Sequence, residues 1–320
     1  MSRRENKIAL SIDLDDWYHT PAITGSSFSI YKTVDDFFKE WKDEFDFITE
    51  PTLRLIKFLN EKDIQATFFV IADQIEQYPK IVKALKESEH EIACHSLHHQ
   101  VPFDNQTKEL IQTKEDWNED LVKAKEILED TFEREVIGYR APGGYIANWM
   151  IDYLIEAGFK YDSSISYNSL YNKSNIELKN IPDYPYFLNE ENFTDKKPNT
   201  TLMEFPWAVY NFFGYRIPMA GAFFFRVFGY NIFKYVINQN LKKHDTMFYI
   251  HSLDFSEEEI PLNNFKNRPF YWINKGEKCW KKFGMLVDYF ENHFVNYKHS
   301  FSFFSYHLTC SRFRSIFILI

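Results

Sequence analysis

The sequence predicts an α/β fold built around a mostly parallel sheet. Short apolar runs alternate along the chain with segments in which apolar residues recur at helical spacing. This alternation is typical of parallel strands joined by crossover helices. Polar side chains suited to catalysis follow directly after several of the apolar runs. Because active sites of parallel barrels and open α/β sheets form at that end of the strands, the sequence favours an enzyme.

The individual elements are predicted in order from these patterns. Ile8 to Ile12 is the first strand, and Ala66 to Ile71 is continuously apolar, as in a strand buried on both faces. A helix from about Ala147 is expected to stop at Gly158, a residue suited to a C-cap. The other predicted strands are 91–94, 136–139, 159–162 and 247–251. The other predicted helices are marked by Leu53, Ile56 and Leu59, by Ile81, Val82 and Leu85, and by Trp117, Leu121, Ala124 and Leu128.

A single domain over residues 1–320 is expected, with its core at about 8–255. Residues 166–201 break the alternation and are rich in Asn, Tyr, Pro and Lys, so they are predicted to form a long surface loop. Residues 256–320 are expected to form a C-terminal helical extension. The aromatic residues of the loop, which either line a substrate groove or pin the loop down, are Tyr184, Tyr186 and Phe187.

The charge balance argues against nucleic acid as a partner. The 37 Lys and Arg residues are outnumbered by 46 Asp and Glu residues, which gives a net charge of −9, whereas non-specific nucleic-acid binding needs clustered cations. No secretory signal is recognised, and no apolar stretch reaches the roughly 18 residues of a membrane span. We therefore expect a cytoplasmic protein. The apolar tail Ser315 to Ile320 is expected to pack as a final strand, with a peripheral membrane contact as the alternative.

Two histidines and an acidic cluster predict a divalent-metal site. His95 and His99 are four residues apart, a spacing that places both imidazoles on one face of a helical turn, while His98 would point away. The run Asp13-Leu-Asp15-Asp16 directly follows the first strand. A carboxylate is the usual partner of two histidines in hydrolytic zinc sites, and a further carboxylate can deprotonate the bound water. The simpler interpretations are a chance pair for the histidines, and a solvated acidic turn or a helix N-cap for the aspartates.

Two further strand ends carry candidate residues. Arg140-Ala-Pro-Gly-Gly144 follows a predicted strand, and its glycines allow the backbone to approach a ligand closely, so an N–H there is suited to bind an oxyanion. The simpler interpretation is an ordinary turn with a surface arginine. The strand from Met247 ends in His251, which is either structural or part of the same cluster.

Taken in order, these segments resemble the polysaccharide deacetylases of the NodB-homology type, carbohydrate esterase family four. The matching segments are 11–16, 66–70, 90–99, 138–142, 161–165, 204–207 and 249–251. The segment Pro218 to Arg226 further resembles a branch associated with surface and exopolysaccharide biosynthesis. The resemblance implies a distorted (β/α) barrel with fewer than eight full units, an incomplete TIM-like barrel. It also implies Zn²⁺ or another divalent cation such as Co²⁺, Ni²⁺ or Mn²⁺ as the cofactor.

The resemblance also implies a role for each site residue. Asp13 would be the general base, and Arg140 would orient it. An acid near Asp13 would hold the metal together with the two histidines. The remaining roles would fall to His251 as general acid, Gly143 as a backbone oxyanion donor, Trp207 as a wall of the acetyl pocket, and His95 and His99 as ligands.

The sequence departs from the family pattern at three places. One residue separates Asp13 from Asp15 where the usual motif has adjacent aspartates, so we expect Asp15 as the metal ligand and Asp16 as the alternative. Gly143 stands where an aromatic residue is usual. No segment clearly supplies the acidic partner of His251; Asp162 is our first candidate and Glu204 the second.

The expected activity is a metal-dependent removal of an N-acetyl group from an amino sugar. The substrate would belong to a polysaccharide or to a lipid-linked or nucleotide-linked precursor, the latter suiting a cytoplasmic enzyme. Two alternatives remain. The same machinery could act on a non-sugar amide or a different acyl group, or the chain could be an inactive carbohydrate-binding homologue. The second alternative predicts the loss of a catalytic residue or ligand, and none of the proposed set is missing.

Overall fold

The computed structural model describes most of the chain. The described residues are 5–20, 23–25, 29–41, 45–104, 107, 109–166, 181–189, 193, 199–259 and 273–305. The apolar tail 315–320 and part of the predicted surface loop lie outside them.

One large sheet organises the molecule. Its strands in chain order are β1 (Ile8–Asp13), β2 (Thr67–Val70), β3 (Glu91–Cys94), β4 (Gly138–Tyr139), β5 (Tyr161–Asp162), β6 (Tyr186–Phe187) and β7 (Met203–Glu204), followed after a separate hairpin by β10 (Thr246–His251) and β11 (Phe294–Val295). The order across the sheet is β10-β1-β2-β3-β4-β5-β7-β6, with β11 also paired to β1. Every pairing is parallel except that of β6 with β7. The curled half-barrel confirms the predicted α/β fold class and barrel type.

Helices cover the sheet between successive strands. They are α1 (Val34–Glu40), α2 (Thr49–Glu61), α3 (Pro79–Lys86), α4 (Lys114–Phe132), α5 (Asn148–Glu156), α6 (Ala222–Leu241) and α7 (Glu277–Phe290). The predicted apolar stripe of α4 is buried throughout; it consists of Trp117, Leu121, Ala124 and Leu128. In α2 and α3 the predicted stripes are buried except for Leu53 and Val82, which are partly exposed. None of the described helices is long and apolar enough to cross a membrane.

The innermost strands are buried on both faces. All residues of β1, β2 and β3 are buried, so both faces of these strands are covered. Phe68 and Phe69 of β2 point to opposite faces and are both fully buried. Such two-sided burial requires continuous apolar runs, and this is why these strands were recognisable in the sequence.

The region predicted as a surface loop contains a paired strand. Tyr186 and Phe187 form β6, and the buried Tyr186 hydroxyl donates to the Phe193 carbonyl at 2.8 Å. Tyr186 therefore pins the segment down, whereas Tyr184 is 40% exposed. The sequence analysis also missed a separate hairpin, made of β8 (Val209–Phe212) and β9 (Tyr215–Pro218).

Beyond residue 256, the described part is largely helical. It comprises α7 and a helical stretch at 297–305, with β11 between them. Through β11, this part of the chain also joins the central sheet, because Phe294 is the register partner of Ile8.

Candidate active site

The candidate residues lie at one edge of the sheet. Asp13, Asp162 and His251 are the last residues of β1, β5 and β10. His95 and Arg140 each come one residue after β3 and β4. Because these strands are parallel and adjacent, their carboxyl ends meet at the same edge. The sheet topology therefore brings together residues that are up to 238 positions apart.

Asp15, His95 and His99 converge on one point. Oδ1 of Asp15 lies 3.4 Å from Nε2 of His95, and its Oδ2 lies 3.3 Å from Nε2 of His99. One ligand atom from each of the three side chains lies within 4.8 Å of the other two. Both imidazoles are buried and the carboxylate is partly exposed. A carboxylate and two imidazoles in this arrangement match the ligand set of a catalytic zinc site.

The hydrogen bond of His95 fixes which ring nitrogen can bind a cation. Its Nδ1 lies 2.7 Å from the carbonyl oxygen of Arg140. A carbonyl can only accept, so Nδ1 carries the proton and Nε2 presents a lone pair toward Asp15. Arg140 thus also orients a candidate ligand through its backbone carbonyl.

A strained bend, not a helical turn, brings the two histidines together. No residue from His95 to Gln100 is helical, so the prediction of a helical turn was wrong. Ser96 has φ of 70° and His99 has φ of 54°, both left-handed and uncommon for residues other than glycine. The Ser96 hydroxyl accepts the His99 N–H at 2.9 Å, which closes the bend. His98 points away from the triad, with Nδ1 2.8 Å from Asp73.

Asp15, not Asp16, faces the histidines. The carboxylate of Asp16 is fully buried, accepts the N–H of Trp17 at 2.6 Å and accepts the hydroxyl of Tyr78. Burial, partly opposed by these bonds, raises the pKa of Asp16 to about 7. Asp16 is therefore part of the packed interior, against Trp17 and Tyr78. Asp15, the first choice from the sequence, has the better geometry for a metal ligand.

The environment of Asp15 fits a cation. Its Oδ1 is buried and accepts no hydrogen bond from the described residues, a situation that is costly for a carboxylate unless a cation compensates. Burial alone would raise the pKa of Asp15, but electrostatic interactions with His99, His95 and His251 outweigh it and hold the pKa well below the usual range. The carboxylate is thus ready to act as a ligand.

Arg140 holds Asp13 beside this triad. The guanidinium is completely buried and donates to Asp13 Oδ1 at 2.5 Å. Its other hydrogen bonds, each 3.0 Å long, go to the Ser163 carbonyl, the Ser163 hydroxyl, the Ser11 hydroxyl and the Tyr297 hydroxyl. All five N–H groups of the arginine are therefore used, and the side chain is fixed in one orientation. Burial lowers the pKa of Arg140, but the charge of Asp13 outweighs it, so the side chain stays a cation.

His251 lies close to both Asp13 and Asp15. Its Nε2 lies 4.0 Å from Asp13 Oδ2 and 3.8 Å from Asp15 Oδ2. The other ring nitrogen, Nδ1, lies 3.3 Å from Oδ2 of Asp254. Burial lowers the pKa of His251, but the hydrogen bond and charge of Asp254, with Asp15 and Asp13, outweigh it and raise the pKa to about 9.

The prediction that Asp162 is the partner of His251 was wrong. The carboxylate of Asp162 accepts the Ser164 hydroxyl at 2.6 Å and the Ser164 N–H at 3.1 Å, and it shares a hydrogen bond with Glu204. Glu204, the second candidate, also accepts the Ile165 N–H at 2.9 Å. Both carboxyl groups are fully buried, and desolvation together with their mutual repulsion raises the pKa of Glu204 well above its usual range. Through these hydrogen bonds, Asp162 and Glu204 hold Ser164 and Ile165, which follow β5 directly.

Gly143 and Trp207 flank the same edge. Gly143 lies in a short 3₁₀ turn with φ of 62°, a left-handed conformation that suits glycine. A Cβ on the adjacent Gly144 would lie 2.9 Å from the Ser164 carbonyl and 3.4 Å from the Trp207 ring, so this turn packs closely against Trp207. The half-exposed Trp207 donates through Nε1 to the Ser163 carbonyl at 3.0 Å and lies 4.7 Å from the Tyr249 ring. Their roles as oxyanion donor and pocket wall remain predictions.

Sequence reasoning missed Asp254 and Arg226. Asp254 is the third residue of the 3₁₀ turn that follows His251, and its Oδ2 also accepts the His251 backbone N–H at 2.9 Å. Nε of the buried Arg226 lies 2.8 Å from the other oxygen of Asp254. Asp254 lies only three residues after His251, so it could have been found from the sequence. Nothing in the sequence links Arg226, which lies in α6, to Asp254.

Two family models match successive parts of the chain. Residues 23–161 match the family described as polysaccharide deacetylase, and residues 170–301 match the domain of unknown function DUF3473. The first match covers β2 to β4, the first residue of β5 and two candidate ligands. The second contains the hairpin, α6 and β10. Parts of both matched segments belong to the one sheet.

Curated relatives align with about a third of the chain. A peptidoglycan deacetylase of Helicobacter pylori is 28% identical over 115 residues, which are 36% of this chain and 37% of that protein. A peptidoglycan-N-acetylglucosamine deacetylase of Bacillus cereus is 27% identical over 118 residues, 36% of this chain and 52% of that protein. The matched segments thus span about half or less of these relatives.

Solved structures show the same fold over most of the chain. A probable polysaccharide deacetylase from Pseudomonas aeruginosa PAO1 is 14% identical, with a TM-score of 0.50 over 92% of this chain and 90% of that one. A Puue allantoinase is 15% identical, with a TM-score of 0.51 over 93% and 90% of the two chains. At such low identity, these likenesses concern the fold alone.

Proposed function

We propose, on the premise that this chain belongs to the polysaccharide deacetylase family, that it is a metal-dependent hydrolase that removes an N-acetyl group from an amino sugar. The single observation that carries the proposal is that a candidate cation site and a candidate acid–base pair meet at one sheet edge. The triad of Asp15, His95 and His99 lies beside Asp13, and His251 contacts both acids within 4.0 Å. These units supply a cation site, a base and an acid, the groups that amide hydrolysis requires.

Asp15, His95 and His99 are the residues that would hold the divalent cation. When bound there, a cation such as Zn²⁺ lowers the pKa of a coordinated water toward about 7 and polarises a carbonyl. The ligand set favours zinc, since two imidazoles and a carboxylate suit a borderline-soft ion. The Arg140 carbonyl described above orients His95 before any cation arrives.

Asp13 is placed to take the proton of the attacking water. Its Oδ1 is occupied by Arg140, so Oδ2, the oxygen nearer His251, is the one left to act as base. Arg140 fixes the direction of the carboxylate through a bond that persists throughout the reaction. The acetyl carbonyl carbon then gains a bond to oxygen, and the N–H of Gly143 is proposed to bind the resulting oxyanion.

His251 is placed to deliver a proton to the leaving nitrogen. Amide cleavage needs this step because an amide anion is too basic to leave unprotonated. Asp254 accepts from Nδ1, so the proton to be donated lies on Nε2, the nitrogen that faces Asp13 and Asp15. Breaking of the C–N bond then gives acetic acid and a free amino sugar, and leaves Asp13 protonated and His251 neutral. Return of the Asp13 proton to His251, directly or through solvent, restores the starting state.

We further propose a cytoplasmic location and an N-acetylated glycan precursor, lipid-linked or nucleotide-linked, as the substrate. The names of the curated relatives concern peptidoglycan and support the general class of an N-acetylated amino sugar. Fractionation of the native organism, with detection of the protein by antibody, tests the location.

An acetate-release assay with metal analysis tests the activity. Purified protein, stripped of metal and reloaded with Zn²⁺, is assayed on N-acetylglucosamine oligomers, a nucleotide-linked N-acetyl sugar, other acyl amides of the same sugars, and a cyclic amide. We expect metal-dependent acetate release from at least one N-acetyl sugar. Release of another acyl group alone, or turnover of the cyclic amide alone, would support the related amide-hydrolase reading, and a metal-loaded protein inactive on all of them would support an inactive homologue.

A further inference from the structure

The hairpin of β8 and β9 projects a large aromatic ring into water at a strained position. Its two turn residues, Phe213 and Gly214, have φ of 47° and 85°, the left-handed pair of a type I′ turn, for which Asn and Gly are the favoured residues. Phe213 is nevertheless 88% exposed. A bulky residue in this conformation is strained, and its ring gains little burial in return. The neighbouring rings of Phe212 and Tyr215 are also exposed, by 50% and 76%.

One face of α6 extends this apolar surface. Ile232 and Tyr235 are three residues apart on the same face of the helix and are 48% and 53% exposed. The Tyr235 ring lies 5.8 Å from that of Tyr210 in the hairpin, and the two hydroxyl groups are 3.3 Å apart. The hairpin and the helix therefore form one continuous surface. We call it the aromatic surface; its members are Phe212, Phe213, Tyr215, Ile232 and Tyr235.

The charge of this part of the chain is opposite to that of the whole. The sequence contains no Asp or Glu from Phe205 to His244, although the complete chain has 46 acidic residues and a net charge of −9. Lys242 and Lys243 are exposed at the end of α6. Lys242 lies seven residues after Tyr235 and therefore on the same helix face.

Exposed aromatic rings near exposed lysines, in a stretch of chain without acidic residues, match a particular kind of partner. Asp183, which another segment brings to the end of α6, is paired with His244. Aromatic side chains with a polar tip settle at the boundary between lipid head groups and acyl chains, and lysines beside them are attracted to anionic lipid. A soluble polyanion would engage the lysines but leave the rings in water.

We propose that the aromatic surface docks the protein onto an anionic phospholipid bilayer, with Phe213 inserted as the leading ring. This proposal stands independently of the deacetylase activity, because none of its residues belongs to the site at the carboxyl end of the sheet.

Vesicle flotation of the full-length protein tests the proposal. The vesicles are phosphatidylcholine alone and phosphatidylcholine with phosphatidylglycerol. We expect partition onto the anionic vesicles that weakens as salt is raised, and weaker partition onto the neutral ones. F213N should reduce partition by about tenfold, the loss expected when one apolar ring is no longer buried. Asn suits the turn better than Phe, so this variant should stay folded.

Matched variants separate the surface from general effects. V122S removes a side chain that is 37% exposed on α4, away from the hairpin, and should leave partition unchanged. K242E/K243E should abolish the preference for anionic vesicles. Acetate release from a soluble substrate should be equal in F213N and the unmodified protein. Absence of partition onto anionic vesicles, or equal partition by F213N, would overturn the proposal. So would a dimer that F213N converts to monomer without any vesicle binding, because the surface would then serve a second copy of the chain.

Discussion

His251 and Asp254 form a pair within a single turn of chain. One oxygen of Asp254 accepts the His251 backbone N–H at 2.9 Å and lies 3.3 Å from its Nδ1. The other oxygen lies 2.8 Å from Nε of Arg226. Burial would raise the pKa of Asp254, but the charges of Arg226 and His251 outweigh it and lower the pKa. The carboxylate is thus held ionised, and it sets both the orientation and the tautomer of the proposed general acid.

Replacing Asp254 with Asn should reduce kcat by about 10²-fold. The amide can donate toward Nδ1 and so favour the wrong tautomer. Because Asp254 raises the pKa of His251 to about 9, its loss should lower that pKa and move the alkaline limb of the kcat/KM profile to lower pH. The sign follows because the general acid is active only while protonated. Steady-state kinetics from pH 5 to pH 10 measure both effects.

D162N is the matched control for D254N. Asp162 bonds to Ser164 and Glu204, not to His251. D162N can lower the amount of folded enzyme, but it should leave the pH of the alkaline limb unchanged, since the shape of a profile does not depend on the folded fraction. An equal shift in both variants would show that Asp254 has no special relation to His251.

Replacing Asp13 with Asn should abolish turnover while metal stays bound. Removal of a general base typically lowers kcat by about 10²–10⁴-fold, and Asp13 is not one of the three clustered ligands. The amide oxygen still accepts from Arg140, so the buried guanidinium keeps a partner. Elemental analysis of the purified variant, with kcat per mole of folded protein, checks both parts. Full activity in D13N would contradict the assigned role.

The paired variants D15N and D16N identify the carboxylate ligand. D15N should weaken Zn²⁺ binding by more than the 10–100-fold that is typical for loss of an outer-shell partner. D16N should leave Zn²⁺ affinity nearly unchanged, because Asp16 lies in the interior against Trp17 and Tyr78. Competition with a fluorescent zinc chelator measures both affinities. The reverse order would make Asp16 the ligand.

The strands and the strand-end residues were readable because their signals are local. Buried strands need continuous apolar runs, and the residue that ends such a run in a parallel sheet faces the site. His251 was found for this reason. The closeness of His251 to Asp13 could not be predicted from either residue alone. It results from the pairing of β10 with β1, in which the two residues are register partners.

The rest depended on contacts that no local pattern encodes. His95 and His99 were expected to meet on a helical turn, but two left-handed residues in a bend achieve the same approach. Arg226 contacts Asp254 from α6, a helix that begins at Ala222, 32 positions before Asp254. Tyr297 contacts Arg140 across 157 positions. The hairpin escaped notice because Phe213 occupies a turn position for which Asn or Gly is the usual signal.

The pair of His244 and Asp183 should make the free energy of unfolding depend on pH near neutrality. His244 Nε2 lies 3.5 Å from Asp183 Oδ1. Burial lowers the pKa of His244, but Asp183 outweighs it and raises the pKa above 6.5. The hydrogen bond from His244 lowers the pKa of Asp183 below 3.8. The His244 contribution is therefore complete below pH 6.5 and is lost as pH rises through its raised pKa. The Asp183 contribution is present above pH 3.8 and is lost as pH falls through its lowered pKa.

The variant D183N should remove this dependence. The difference in the free energy of unfolding between the unmodified protein and D183N should be largest between about pH 4 and pH 6.5 and should shrink at higher pH. Urea unfolding at several pH values measures it. A difference that stays constant up to pH 9 would mean that the two side chains do not titrate as a pair.

Adding a methyl group at Gly138 should destabilise the sheet beneath the site. A Cβ there would lie 2.1 Å from both Cζ and the hydroxyl oxygen of Tyr161. That ring cannot retreat, since its hydroxyl donates to the buried Glu91 at 2.7 Å and its face stacks on Tyr297 at 5.6 Å. Overpacking against such a fixed neighbour costs typically about 1–3 kcal/mol, so G138A should lower the free energy of unfolding by at least about 2 kcal/mol.

The variant G284A makes the same Gly-to-Ala change at an open position and should instead stabilise the protein. Gly284 lies within α7, and a Cβ there would meet no atom within 4 Å. Replacing a helical glycine by alanine at an open position adds about 0.4–1 kcal/mol of stability, chiefly by restricting the unfolded chain. Urea titration of both variants under the same conditions compares them directly. If G138A is as stable as the unmodified protein, the Tyr161 ring has more freedom than its contacts with Glu91 and Tyr297 allow, and it is not the fixed neighbour that the prediction requires.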